Sequence, residues 1–282
     1  MYAITGVTGK VGGAVARTLL AAGKPVRAVL RDRSKAQAWA DLRCDIALAE
    51  MSDAKALTAA FRGAEAVFIL PPPVFDPAPG FPEIRAVIAA VTAALAAVRP
   101  ARVVHLSTIG AQARQPNLLS QQGLVEQALR QLATPVSILR PAWFMENFAW
   151  DVTSARDEGV LPSFLQPLDR AIPMAATTDI AATAAELLMR TWGTGRIVEL
   201  TSADVSPDAA AATFVKILGR DVIARAVPRE TWGTLFKAQG MRDPMPRIQM
   251  LDGFNEGWLA FEDPTHVVQG STTLETVLRG LV

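Results

Sequence analysis

Residues 1–13, MYAITGVTGKVGG, constrain this chain more than any other stretch. Tyr2-Ala3-Ile4-Thr5 is a short apolar run that breaks at Gly6-Val7-Thr8-Gly9-Lys10-Val11-Gly12-Gly13. Val11, Ala14, Val15, Thr18, Leu19 and Ala22 then recur at helical spacing, up to Gly23, a residue suited to a helix C-terminus. A glycine-rich turn therefore joins a buried strand to a helix. Such a turn lets an anion reach the free N–H groups of a helix N-terminus, where the helix dipole favours negative charge. Gly12 would also let the helix pack closely on the strand. The spacing is G-x-x-G-x-x-G, and it predicts dinucleotide binding; a ligand-free strand–helix turn is the alternative.

Strand and helix patterns alternate through the first half, as in a parallel α/β sheet. Pro25–Leu30 is a second strand, followed at once by Arg31-Asp32-Arg33-Ser34-Lys35. An acid at this place suits a ribose 2′-hydroxyl, and a guanidinium suits a 2′-phosphate. Arg31 comes first and Asp32 should face the other way, so NADP(H) is preferred over NAD(H); an ordinary solvated loop is the alternative. Asp45–Ala49 is a third strand, leading to a helix over Asp53–Phe61 with Ser52 as its N-cap. Met51 falls where an adenine could rest, or in plain core. Ala66–Leu70, a fourth strand, ends in Pro71-Pro72-Pro73, which either walls a cofactor crevice or is simply a rigid loop. A long helix through Ile84–Val98, a strand Arg102–Leu106, a helix Pro116–Leu132 and a strand Pro135–Leu139 follow.

Beyond Phe148 the pattern loosens. A helix over Thr178–Trp192 and a strand Ile197–Leu200 look like part of the main sheet, while helices from Pro207 onward and a strand at Val222–Val227 do not. The expected class is α/β, a parallel sheet flanked by helices. A dinucleotide domain would comprise residues 1–150 plus about 175–202. A smaller, discontinuous α+β substrate lobe, 151–174 and 203–282, would close over it. The net charge of +1 comes without a basic stripe, so no nucleic-acid partner is expected. The longest charge-free apolar run, Ala86–Val98, is too short to span a bilayer. The first residues already read as a strand, so no signal peptide is expected, and a single cysteine, Cys44, allows no internal disulfide. These features describe a soluble, cytoplasmic protein, with monomer and homodimer both open. His105 sits in an apolar strand as a core residue, and His266 has no metal-ligand spacing around it.

The chemistry is constrained by what is missing. Hydroxyl-to-carbonyl redox in such folds commonly uses a tyrosine, with a lysine four residues on, as its proton donor. Here the one tyrosine is Tyr2, in the first strand. The helix that would hold the pair offers Gln122 and Glu126, and Glu126 reads as a surface partner of Arg130 at i+4. A ketone needs its oxygen protonated as hydride arrives, whereas a quinone, an iminium ion or a delocalised cation is already electrophilic. Trp143, Phe144, Met145, Phe75, Trp232 and Phe236 are candidates to stack such a ring, with core packing as the alternative for each.

Several of these stretches resemble one family. Thr5–Gly12, Arg31 with Lys35, Leu70-Pro71-Pro72-Pro73, Leu106-Ser107 and Leu139-Arg140-Pro141-Ala142-Trp143-Phe144-Met145-Glu146-Asn147-Phe148 are similar to the NmrA-like atypical short-chain dehydrogenases/reductases, over residues 1 to about 200. The Arg-Pro-x-Trp-Phe-Met-x-Asn-Phe run with the triple proline is nearest to the ergot-alkaloid-reductase-like, NADPH quinone reductase and triphenylmethane reductase branches. The resemblance implies a Rossmann-type fold. NADP(H) would be held by Gly6, Thr8, Gly9, Lys10, Val11, Gly12, Arg31, Lys35, Leu70, Pro71, Pro72, Ser107, Pro141 and Trp143. A small hydride acceptor would meet Phe75, Trp143, Phe144, Met145 and Asn147. It also implies an alternative, because some members are non-catalytic redox sensors that bind the dinucleotide. A sugar-nucleotide epimerase is disfavoured, since that chemistry uses the missing tyrosine.

Overall fold

The computed structural model describes residues 1–190 and 193–282. The chain opens with β1 (Tyr2–Thr5), α1 (Lys10–Ala21), β2 (Val26–Leu30), the short α2 (Gln37–Ala40), β3 (Asp45–Leu48), α3 (Ala54–Phe61), β4 (Ala66–Ile69), α4 (Pro82–Val98), β5 (Arg102–Leu106), α5 (Ser120–Leu129) and β6 (Val136–Pro141). It continues through β7 (Trp143–Phe144), α6 (Val152–Glu158), β8 (Val160–Ser163), β9 (Ile172–Ala175), α7 (Thr177–Met189), β10 (Ile197–Thr201), β11 (Ala203–Val205) and α8 (Pro207–Leu218). Last come β12 (Ile223–Ala226), α9 (Trp232–Ala238), α10 (Met245–Glu256), β13 (Val268–Gln269) and α11 (Leu274–Arg279).

The main sheet has eight strands in the order β13-β10-β6-β5-β4-β1-β2-β3. β1 lies parallel between β2 and β4, with Tyr2 opposite both Val26 and Ala66. From β1 the chain adds strands outward in one direction and then, from β4, in the other. That reversal leaves the carboxyl ends of β1 and β4 side by side, the place where open parallel sheets take their ligands. The architecture is Rossmann-type. β1 and β4 are buried along their whole length, which is why they read as near-continuous apolar runs rather than as alternating ones; β5 is equally buried although it carries Arg102 and His105.

By compactness the chain divides into two units. The first comprises residues 1–107, 121–140 and 180–198, and the second 108–120, 141–179 and 199–282. Residues 108–120 and 141–150, assigned above with the sheet, thus group with the second unit. In the first unit Leu57 and Phe61 of α3, Val91 and Leu95 of α4, and Val67 and Ile69 of β4 share one core. Each such side chain stabilises the fold by about 1.5–3 kcal/mol through removal from water. In the second unit α8, β9 and their neighbours enclose Phe214, Met174 and Met145.

Local chemistry corrects several boundaries. The N-cap of α3 is Asp53, not Ser52: its carboxylate accepts the N–H groups of Lys55 and Ala56 at 2.9 and 3.0 Å. α5 begins at Ser120 because Asn117 makes a turn before it, its side-chain oxygen accepting the N–H of Leu119 at 2.7 Å. β12 pairs with β8 in a separate two-stranded parallel sheet, whereas β10 does join the main sheet. The helix expected over Thr178–Trp192 is α7, Thr177–Met189; Trp192 itself lies outside the described residues.

The contact of α1 with β1 is set by one residue. A Cβ at Gly12 would stand 2.3 Å from the Gly6 carbonyl oxygen and 2.8 Å from that of Thr5. Both are main-chain atoms, so no side chain can swing away to make room. Gly12→Ala is expected to cost about 1–3 kcal/mol as the helix is pushed off the strand. Chemical denaturation of the two proteins side by side measures this; an unchanged midpoint would show that the turn relaxes freely.

Candidate functional site

The glycine turn is built to leave main-chain donors open. Gly6 has φ +68°, and a Cβ there would sit 2.9 Å from a Leu70 methyl. Thr5 fixes this approach: its hydroxyl donates to the Phe68 carbonyl at 2.9 Å and accepts the Leu70 N–H at 2.8 Å, tying the ends of β1 and β4. The Gly9 N–H donates to the Gly6 carbonyl at 3.0 Å, closing the turn. A Cβ at Gly9 would meet only that carbonyl, at 3.4 Å, so the face before the helix is open. No side chain caps α1 and no acid stands in its first turn, whereas α3 is capped by Asp53 and α8 by Ser206. An uncapped, positively polarised N-terminus over an open glycine is the cradle a pyrophosphate needs, and the residues present fit it. Thr8 and Lys10 present exposed side chains there, while Val11 and Gly12 are buried and offer main chain only.

At the end of β2, Arg31 and Lys35 are exposed. Asp32 is turned to another task. Its carboxylate accepts the N–H and the hydroxyl of Ser34 at 2.9 and 2.6 Å and caps the single turn Arg33–Lys35. Those bonds hold its pKa below the usual carboxylate value. Among the described residues neither Arg31 nor Lys35 is held in an ion pair. Two cations and an occupied acid suit a 2′-phosphate better than a 2′-hydroxyl. Met51 packs against the first unit's core. Pro71 is buried, Pro72 is exposed, and Phe75 beyond them is 56% exposed.

The carboxyl ends of β5 and β6 hold a buried charge cluster that the helical spacing of α5 did not reveal. Glu126 is no surface residue: its side chain is 5% exposed and that of Arg140 is 2% exposed. Arg140 donates to both carboxylate oxygens, Nε to Oε1 at 2.8 Å and an Nη to Oε2 at 2.6 Å. The Ser107 hydroxyl also donates to Oε1, at 2.5 Å. Arg130, the expected partner, stands at 3.6 Å on the outer side. Ser107 therefore has its hydroxyl engaged by protein, and its N–H donates to the Leu139 carbonyl at 2.8 Å, so of its main chain the carbonyl is what it can offer a ligand. The partner missed by the sequence reading is Arg140, which is on a strand and so has no helical spacing to Glu126.

In the second unit, Pro141 is buried and Trp143, Phe144 and Asn147 are half-buried. Trp143 meets Phe254 edge-on, with ring centroids 4.9 Å apart. Met145 is wholly enclosed in that unit's core, which leaves its thioether no face for a ligand. Trp232 and Phe236 are likewise fully buried, and the Trp232 indole N–H donates to the Val227 carbonyl at 2.8 Å; both are core, not stacking surfaces. Cys44 is buried, which pushes its thiol pKa up. His266 is exposed and pairs with Asp263 at 2.8 Å. Among the described residues no three ligating side chains cluster as a metal site, and no helix is long and apolar enough to cross a membrane.

A doubly wound parallel sheet whose first strand opens through glycines onto an uncapped helix defines a Rossmann-type α/β protein. The chain belongs to the NmrA-like family, whose model matches residues 2–260. It is similar to quinone oxidoreductase 2 of Escherichia coli (strain K12), 26% identical over 246 residues covering 86% of this chain and 83% of that protein. It is also similar to an NAD(P)H azoreductase of Xenophilus azovorans, 26% identical over 262 residues, 91% of this chain and 85% of that one. Among solved structures, an NADPH-dependent quinone oxidoreductase from Escherichia coli matches with a TM-score of 0.80 at 25% identity, covering 100% of this chain and 99% of the other.

Beside the charge cluster, His105 is fully buried on β5. Its Nδ1 faces the Ile69 carbonyl at 3.3 Å, and its Nε2 lacks a well-formed hydrogen bond, so it is only half the satisfied core histidine expected. Burial lowers its pKa to about 4, outweighing the Glu126 carboxylate, the Ile69 carbonyl and the Gln122 side chain, which act the other way. An unfolded histidine takes up its proton near pH 6.5, so between about pH 6.5 and 4 the unfolded chain binds more protons. Stability should therefore fall as pH drops through this window. His105→Asn, which does not titrate, should lose less melting temperature than the wild type between about pH 7 and 5. Parallel losses in both proteins would show that another group sets the acid sensitivity.

Proposed function

We propose that this chain is an NADPH-dependent reductase that delivers hydride to a small, preactivated acceptor: a quinone, an iminium ion or a conjugated cation. One observation carries the acceptor class. The chain's single tyrosine, Tyr2, is buried in β1, and α5 offers only Gln122 and an ion-paired Glu126 where a proton-donating pair would stand. The chain is an NAD(P)H-dependent oxidoreductase of the NmrA-like family, a reading supported by the quinone oxidoreductase and azoreductase relatives. Bound NADPH would supply the hydride.

The chain's residues would bind and orient. Main-chain N–H groups from Lys10 to Gly12 would take the pyrophosphate, with the Thr8 and Lys10 side chains beside them. Arg31 and Lys35 would take the 2′-phosphate. Leu70, held over Gly6 by the Thr5 hydroxyl, would form a fixed wall with Pro71, Pro72 and the main chain at Ser107. Pro141 and Trp143 are assigned to the nicotinamide, and Phe75, Phe144, Asn147 and Trp143 to the acceptor. With no side-chain acid at hand, rate would come from proximity and alignment, which suffices when the acceptor is already electrophilic.

Titration with NADPH and NADH, followed by NADPH oxidation over a panel of quinones, iminium compounds and triarylmethane dyes, tests the reading. Oxidation with at least one class is expected. Tight NADPH binding with no oxidation of any acceptor would favour a redox sensor instead. Arg31→Ala should weaken NADPH binding about 10- to 100-fold and leave NADH binding nearly unchanged, as for loss of a hydrogen bond to a charged group. Equal losses for both cofactors would remove Arg31 from the 2′-phosphate.

A further inference from the structure

Within the second unit, Arg247 on α10 is a half-buried cation without a counter-charge. Its guanidinium lies 4.2 Å from the ring centroid of Phe236 and 6.0 Å from that of Phe164. Its one hydrogen-bond contact is the Met241 thioether, at 4.0 Å, a weak acceptor. Among the described residues no carboxylate pairs with it. The acids nearest to it in sequence have other partners: Asp252, on the same helix, takes Arg229 through two bonds of 2.7 Å, and Asp243 accepts the N–H of Met245 at 3.0 Å.

The chain's other enclosed arginines are answered differently. Arg140 has Glu126, and Arg102 has Glu65 and the Leu188 carbonyl. At Arg247 burial instead pulls the guanidinium pKa below its ordinary value, since charge is withdrawn from water with nothing opposite. Aromatic faces offset part of that cost. They satisfy none of the five N–H donors, which an oxyanion matches in a planar fork. The surroundings suit a flat ring. Phe164 and Trp143 are half-buried, while Phe236, fully buried, is tilted against Phe164 with centroids 5.2 Å apart and takes the guanidinium on its own face.

We propose that Arg247 is the anion-recognising residue of the acceptor site, selecting flat aromatic acceptors that carry a sulfonate or carboxylate and disfavouring cationic ones. The inference rests on the reductase reading and narrows it: of the electrophiles considered, an anionic quinone fits and an iminium ion or a cationic dye does not. The ring lies along Phe164 and Trp143, and the oxyanion takes the guanidinium donors that the protein leaves open.

The test compares 1,2-naphthoquinone-4-sulfonate with neutral 1,2-naphthoquinone at saturating NADPH, in wild type, Arg247→Met and Arg247→Lys. The wild type should favour the sulfonate in kcat/KM. Arg247→Met should cut that preference about tenfold or more through KM, as expected for loss of a hydrogen bond to a charged group, and Arg247→Lys should restore part of it. Added salt should erode the wild-type preference. A wild type that reduces the neutral quinone as well as the sulfonate overturns the proposal whether or not the variants fold, and so does an unchanged preference in Arg247→Met. If neither quinone is reduced, the reductase reading has failed, and calorimetric titration with anthraquinone-2-sulfonate decides the site alone. Binding by wild type that Arg247→Met loses supports it, and no binding or equal binding rejects it.

Discussion

The main chain of α1 rests directly on the main chain of the turn before it, and much of the first unit follows from that contact. Only a residue without a Cβ permits it, and Gly12 supplies one. The helix then starts low against the sheet, with its N–H groups at the carboxyl edge of β1. Gly6, in the left-handed region, brings the chain around quickly enough, and Thr5 fastens the neighbouring strand end with one hydroxyl that both donates and accepts. A wider turn or a side-chain cap would close the same donors. The uncapped helix N-terminus is thus part of how the fold is made.

A second constraint is electrostatic. Burying a carboxylate and a guanidinium withdraws both from water at a cost of several kcal/mol per ion, and their attraction recovers it only with good geometry. The two parallel bonds between Arg140 and Glu126 provide that geometry, and the Ser107 hydroxyl satisfies more of the carboxylate. The cluster pins α5 to the ends of β5 and β6. It therefore acts on the shape of the sheet's carboxyl edge rather than on reacting atoms.

What could be read from the sequence was what is local. The apolar period of each element, the glycine spacing and the Arg31–Lys35 stretch each lie within a few residues, and the parallel α/β class followed. Pairings across long separations could not be read. Glu126 has Arg130 one turn away, a complete local explanation, while its principal partner stands on a strand that helical spacing cannot reach. Trp232 and Phe236 look like surface-capable aromatics until packing encloses them. Ser52 and Asp53 are both good caps, and only the extended backbone at Asp53 decides between them. Arg247 gave no sequence signal, because an arginine on a helix is ordinarily solvated, and its isolation from acids exists only in three dimensions.

The Glu126–Arg140 pair also bears on which neighbouring enzymes this chain can become. A lysine in place of Glu126 would face the Arg140 guanidinium inside the protein, two like charges with neither solvent nor an acid between them. Carbonyl chemistry of the tyrosine–lysine kind is therefore not one substitution away, nor two. It requires Arg140 to be exchanged as well, because changing either member of the pair alone strands a buried charge. The cluster thus couples positions 122, 126 and 140, which any tyrosine–lysine pair on α5 would have to change together.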